Sequence, residues 1–331
     1  MLDPVKLIVY FRTAPLESAL RAIRTREAAR VRAALKLRRR LPSSLLYLVA
    51  ERAAYLEAVG VDRAQATKEL AEELRIRLEE HLRRVQSLLN FVVFAVATLY
   101  LSAAMGGVLS LISPVGTTMM LGFIAASAVM LLLVEPYLRP IRRWNYYVAA
   151  AASAPAVLSI AHPAFAVLAA AVGAAYAYWY LSAAREAREE LDLVASGRVR
   201  TGETDLAKEM AEVVRAVRES GAFDLQATAE FLMRIWLAYL DSVRRSALVR
   251  ALVVVATFAI FAGSMYVLAS LFAPFAKTPV PPVLPLKIGQ LDPRPAVYVA
   301  ALSAMVIAGR LTDSYAATPA YSPLVLALLF F

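Results

Sequence analysis

From residue 91 onward the chain keeps returning to long stretches without charge, and that pattern constrains its fold more than any motif does. A bilayer core about 30 Å thick is crossed by roughly 20 apolar residues in a helix. Residues 91–112 and 116–138 meet that requirement, separated by Ser113-Pro114-Val115. Residues 146–161 and 164–182 form a second pair, broken at His162-Pro163, and 248–272 make a fifth span. Two weaker candidates follow at 296–312 and 320–331, divided by Arg310, Asp313 and Pro319, the last short enough to enter the membrane part way. The chain is 60% hydrophobic with a mean hydropathy of +0.59, against about 45–50% apolar for a soluble domain. These features exclude a soluble globular enzyme and predict an all-α, polytopic membrane protein of about seven spans.

Charge is confined to two blocks. Residues 1–90 hold 18 basic and 11 acidic side chains, and residues 183–247 hold 10 and 12. The remainder carries eight Lys/Arg and only three acids, Glu135, Asp292 and Asp313. Short loops rich in Lys and Arg stay in the cytoplasm. The 139–145 loop, with Arg139, Arg142 and Arg143, is therefore expected inside, and the uncharged turns at 113–115 and 162–163 outside. That places both charged blocks and the N-terminus in the cytoplasm. The Pro-rich stretch 273–295 falls outside, against the tendency of its Lys277, Lys287 and Arg294, and so does the C-terminus. The first residues lack a basic stretch followed by an apolar run and a cleavage site, so no signal peptide is expected. With no cysteine, and with His81 and His162 in different regions, no disulfide, thiolate or metal cluster is expected. The absence of Cys and scarcity of Asn and Gln fit a thermophile.

An internal repeat organises the charged blocks. When the sequence is laid over itself so that Gly60 meets Gly221, Ala50-Glu51 meets Ala211-Glu212. In the same ungapped register Gln65-Ala66-Thr67 and Glu69 meet Gln226-Ala227-Thr228 and Glu230, and Arg83-Arg84 meets Arg244-Arg245. An apolar stripe follows the same shift: Leu70, Leu74, Leu78 and Leu82 fall on Phe231, Ile235, Tyr239 and Val243, an i, i+4 spacing that predicts one buried helical face. Each copy reads as a helix ended by a glycine that suits a left-handed stop, then an amphipathic helix, then an arginine pair where the chain enters the membrane. The expected domains are a basic helical segment, 1–41; a cytoplasmic bundle, 42–90; hairpins 91–138 and 146–182; a second bundle, 183–247; and a C-terminal membrane region, 248–331.

A duplicated cytoplasmic helical domain running into membrane spans resembles the type II secretion system protein F family. These are the inner-membrane platform proteins of type II secretion, type IV pili and archaella. Arg218-Glu219-Ser220-Gly221, followed by an amphipathic helix with Glu230, is similar to that family's GE-x-SG region. The tail from Ala308 to Asp313, with the apolar run from 322, resembles the archaeal branch. The hairpin 146–182 between the copies departs from the bacterial form. The resemblance implies a homodimeric, non-catalytic platform at the base of a filament, with a hexameric secretion ATPase and pilin-like subunits as partners and no cofactor.

Each candidate residue also has a plainer reading. Arg83, Arg84, Arg244 and Arg245 either contact a partner ATPase or snorkel to lipid headgroups. Arg38, Arg39 and Arg40 offer the same two readings or form a solvated face, and the lack of interleaved aromatics speaks against nucleic acid. Glu135, before Pro136 with Arg139 nearby, reads as a helix-end residue rather than an ion site. Gly60, Gln65, Thr67, Glu69 and their counterparts Gly221, Gln226, Thr228 and Glu230 read as structural. Gly106, Gly107, Gly116, Gly122 and Gly173 permit close helix approach. His81 is expected on the surface and His162 in an interfacial turn. No phosphate-binding glycine loop, HExxH or GxSxG is present, so no catalytic residue is expected. The competing functions are a transporter or channel with an internal repeat, and a membrane component of another ATPase-driven secretion or DNA-transfer complex.

Overall fold

The structure, a computed structural model, describes residues 2–41, 44–110, 114–129, 145–198, 201–219, 223–272, 293–312 and 315–330. Among these residues it is all-helical, without a strand. The α-helices are α1 (Asp3–Thr13), α2 (Leu16–Ala22), α3 (Arg26–Lys36), α4 (Leu45–Val59), α5 (Arg63–Ser110), α6 (Pro114–Val129), α7 (Asn145–Leu158), α8 (Pro163–Ala195), α9 (Asp205–Glu219), α10 (Phe223–Phe272) and α11 (Arg294–Thr312), followed by a 3₁₀ helix, Tyr315–Phe330. The chain divides into two compact units: Met1–Arg84 with Ala184–Ser242, and Val85–Ala183 with Val243–Phe331. The first unit holds the N-terminal segment and most of both charged blocks, while Arg244 and Arg245 fall just inside the second.

Local chemistry sets the helix ends in that unit. Ser44 opens α4 by accepting a hydrogen bond from the Tyr47 amide at 3.1 Å, and Asp62 opens α5 through the Ala64 amide at 2.9 Å. Gly60 closes α4 at φ 76°, with the Val61 amide bonded back to the Leu56 carbonyl. Thr204 opens α9 through the Ala207 amide at 3.3 Å. The basic character of residues 1–41 belongs to their second half, because α1 is apolar and buried. Leu2, Val5, Leu7, Ile8 and Phe11 are all at most 1% exposed, each contributing about 1.5–3 kcal/mol by leaving water. The polar atoms of α1 are answered as well. Asp3 accepts from the Thr25 hydroxyl at 2.7 Å, and the Lys6 ammonium meets Glu212 on α9 at 2.8 Å.

The helices of the two sequence copies have matching bounds. In the register that pairs Gly60 with Gly221, α4 falls on α9 and α5 falls on α10, each end agreeing to the neighbouring position or better. Their buried faces do not match in the same way. Leu70, Leu74, Leu78, Val85, Leu89 and Val92 are buried on α5, and on α10 the residues one position past their aligned partners, Leu232, Trp236, Leu240, Ala247, Ala251 and Val254, are buried. None of those six aligned partners is itself buried, and Phe231 is 47% exposed. At Val93/Val254, Val96/Thr257 and Tyr100/Phe261, by contrast, both aligned residues are buried. Of the stripe expected through Phe231, Ile235, Tyr239 and Val243, Val243 is buried, Ile235 and Tyr239 are half-buried and Phe231 is exposed. One residue is about 100° of helix, so before Val243 the stripe is corrected to the neighbouring face.

In the second unit, four helices of the chain are long and apolar enough to cross a membrane: α5, α8, α10 and α11. The other expected spans are shorter as described: α6 has 16 residues, α7 has 14, and the last segment is a 3₁₀ helix of 16. The rest of 116–138 lies outside the described residues. So do Glu135, the 139–144 arginines, Asp292, Asp313, Gly221 and nearly all of 273–295. Helix association within lipid draws on close packing and hydrogen bonds rather than on release of water, and this unit has both. A Cβ on Gly116 would collide with the Ser110 backbone, so the start of α6 approaches the end of α5 closely, whereas Gly122 faces open space. The 3₁₀ helix buries Pro319, Ser322 and Val325, a three-residue period that matches its three residues per turn. Its Ser322 hydroxyl lies 2.7 Å from the Ala169 carbonyl of α8, beside Gly173, where a Cβ would strike it.

Candidate functional site

The repeated Gln-Ala-Thr-x-Glu motif makes the same local contact in both copies. Gln65 donates to Glu69 at 3.4 Å, and Gln226 donates to Glu230 at 3.2 Å. An i, i+4 pair of this kind fixes a carboxylate on the helix surface, at a few tenths of a kcal/mol. The surroundings then differ. Glu69 is also reached by Arg52 of α4 at 3.5 Å, whereas residue 213, which aligns with Arg52, is Val. Thr67 is buried and its hydroxyl donates to the Arg63 carbonyl at 2.6 Å, so it serves its own helix; Thr228 is half-buried. Beside Gln226 and Glu230 lies a shallow cleft floored by Ala229 and Met233 and bounded by Arg218 and Gly197.

The arginine pairs sit where the two units divide on each long helix, at Arg84/Val85 and Ser242/Val243. Arg83, Arg84 and Arg245 are exposed, and Arg244 is half-buried. Among the described residues, Arg83, Arg84 and Arg245 make no hydrogen bond or ion pair. Arg38, Arg39 and Arg40 are likewise exposed and follow α3 directly. The structure thus separates the candidates into a Gln–Glu bracket on each long helix, cations at the unit boundary, and a basic turn after α3.

His81 is corrected from the surface role expected of it. It is half-buried, and its Nδ1 shares a 2.7 Å hydrogen bond with the Tyr239 hydroxyl, which ties α5 to α10 within the first unit. His162 lies in an exposed turn and accepts from the Ala164 amide at 3.2 Å.

Two polar groups in the second unit escaped the sequence reading. Arg250, near the start of the fifth span, donates to the Asn90 side-chain oxygen at 2.9 Å, the Gln86 carbonyl at 3.2 Å and the Ser246 carbonyl at 2.7 Å. Its guanidinium fork is held by neutral acceptors on α5 and on its own helix, and it fastens α10 to α5. The signal was a lone cation inside an apolar run. In addition, Tyr100, wholly buried, donates to the Ala300 carbonyl at 3.1 Å, and Ser127 lies 3.1 Å from Ser303. This joins α5, α6 and α11 through uncharged groups, the kind of interhelical bond that lipid-embedded helices use. Scattered hydroxyls carry no sequence signal for such a meeting.

The described residues hold no group of three or more His, Asp or Glu able to grip a metal ion. No protein-family model, curated protein or solved structure matches the chain. The family resemblance therefore rests on the sequence alone.

Proposed function

We propose that this chain is a non-catalytic, multi-pass platform protein of the cell membrane. It assembles a type IV pilus-like or archaellum-like filament, or a secretion pseudopilus. In this reading it has seven spans, a cytoplasmic N-terminus and an extracytoplasmic C-terminus, and works as a homodimer. Its duplicated cytoplasmic helices engage a hexameric ATPase and pass that motion to the spans, where pilin-like subunits leave the lipid for the filament. The observation that carries the reading is the helix pair α4–α5, which recurs in the aligned copy as α9–α10. Each copy pairs a 15-residue helix with one of 48 or 50 residues whose second half is apolar. A continuous helix from a charged bundle into an apolar span is a rigid rod, suited to transmitting movement. The Gln–Glu brackets and exposed arginines recur on both rods, as two equivalent contacts with one rotating partner require.

A transporter carries its repeat in the spans, with charged or broken helices near mid-membrane. Here the repeat centres on charged helices, and among the described residues the polar residues of the second unit that are buried whole are hydroxyls such as Ser127, Thr257 and Ser303. The test is purification from native membranes in mild detergent, with mass spectrometry of the proteins retained. A hexameric secretion ATPase together with pilin-like subunits is the expected result. Recovery of neither, even after cross-linking, overturns the reading and directs work to transport assays in liposomes.

A further inference from the structure

The most unbalanced surface of the molecule lies before the first repeat. Residues 21–40 hold eight arginines and Lys36 against a single acid, Glu27. The nearby acids are already engaged. Glu17 binds Arg21 at 2.7 Å and Lys36 at 2.9 Å, and Glu27 accepts from the Ser44 hydroxyl at 2.8 Å. The side chains of Arg24, Arg26, Arg30, Arg32, Arg38 and Arg39 make no hydrogen bond or ion pair among the described residues.

Backbone geometry adds an independent observation. Three helices of the first unit end in the same left-handed stop: α4 at Gly60 (φ 76°), α8 at Gly197 (φ 70°) and α3 at Arg38 (φ 50°). In α3 the Arg39 amide bonds to the Ala34 carbonyl at 2.9 Å, closing the turn as Val61 does for α4. Glycine is the residue this position favours, because a Cβ is crowded there. Arginine in that left-handed conformation makes the turn less stable than glycine would, and places another guanidinium at the end of the basic helix.

We propose that α3 and the turn 37–40 form a docking surface for a protein partner that presents a carboxylate-rich segment. Guanidinium forks match carboxylates in pairs, and Arg26 and Arg30, at i, i+4, lie side by side on the exposed face. A helix that binds by lying in a membrane surface keeps an apolar face free to sink in. The apolar face of α3, Ala28, Val31 and Ala34, is buried within the protein. Single-stranded nucleic acid is bound with stacking aromatics, and residues 12–46 contain none. The inference stands on charge and backbone geometry and does not require the filament reading.

The test uses the full chain in phosphatidylcholine nanodiscs, with a fluorescent polyglutamate peptide as probe. Binding is expected to weaken with salt and to fall at least about tenfold in the Arg26→Gln, Arg30→Gln double variant. Arg38→Gly is the control for folding: it should weaken peptide binding while raising the unfolding temperature. Affinity unchanged in both variants overturns the proposal. In cells, a photo-crosslinking amino acid at Leu37, which is 67% exposed beside these arginines, should label an Asp/Glu-rich segment of a protein. That label should be lost in the Arg26→Gln, Arg30→Gln background. A lipid adduct, a nucleic-acid adduct or no adduct overturns it.

Discussion

The two long helices, α5 and α10, agree closely in length, bounds and motif positions, yet their buried faces coincide only in part. Along α5 the buried positions run through Leu70, Leu74 and Leu78; along α10 they run through Leu232, Trp236 and Leu240, one position past the aligned ones. Surface chemistry follows the sequence alignment, since the Gln–Glu bracket forms in both copies, but packing around these brackets follows a register shifted by one. It returns to the alignment further on, where Val93/Val254, Val96/Thr257 and Tyr100/Phe261 are buried in both. Two copies of one motif can therefore present similar groups to a partner while resting on unlike supports. Arg250 makes the same point, because its aligned position on α5 is the buried Leu89. The staple between the helices is built from one side only.

The sharpest way to break this comparison is to truncate α10 on both faces. Trp236→Ala should destabilise the protein by about 3–5 kcal/mol, because it empties a buried aromatic site. Phe231→Ala, at a residue 47% exposed, should stay within about 0.5 kcal/mol. Thermal unfolding of the full chain in detergent measures both. A larger loss at Phe231 would restore the aligned stripe and make the helices equivalent.

The stripe is more legible in α5 than in α10, where of its four residues only Val243 is buried, and the reason lies in their charges. Residues 63–84 carry eleven charged side chains and residues 224–245 only six. In α5 the charges leave one apolar strip, so the buried face has one place to be. In α10, Phe231, Leu232, Met233, Ile235, Trp236 and Leu237 are apolar nearly all round, and sequence spacing fits either face. Among the described residues the predicted apolar ranges fall mostly in helices, since composition sets them, but the 3₁₀ geometry of Tyr315–Phe330 was not legible. Pro319 and Pro323, which lack amide donors, hinted at it. Of the candidate site, the Gln–Glu brackets could be read from spacing alone. The His81–Tyr239 and Arg250–Asn90 contacts could not, because they join residues 158 and 160 positions apart.

A smaller effect sharpens the asymmetry at the start of the fifth span. Arg250→Ala removes charge-assisted bonds that a neighbouring helix accepts, each contributing about 1.5–3 kcal/mol at most, and it should lower the unfolding temperature measurably. Arg245→Ala, at an exposed site without a described partner, should leave it unchanged. Equal losses from the two variants would mean that both arginines act through packing, and would remove Arg250 as the distinguishing staple.

The smallest effect separates two aligned acids. Glu51 accepts from the Tyr47 hydroxyl at 3.3 Å, whereas Glu212 meets the Lys6 ammonium at 2.8 Å. Burial opposes the Lys6 charge, but the hydrogen bond and charge of Glu212, with Glu209 adding, raise its pKa above the ordinary 10.5. A cation whose pKa is raised by folding contributes its stability fully below the unfolded value, and loses it as pH rises through the folded one. The Glu212 side chain is 63% exposed, so solvent screening holds the contribution below about 1 kcal/mol. Raising the pH past 10.5 should therefore lower the unfolding temperature of the native chain more than that of Glu212→Gln. Burial and then Glu51 raise the Tyr47 phenol above its ordinary 10.0, so the Glu51 comparison is made in a Tyr47→Phe background, where that titration is absent and Glu51→Gln should follow the profile of its parent. If both variants flatten the alkaline loss equally, the aligned acids serve one role and the copies are more alike than their buried faces indicate.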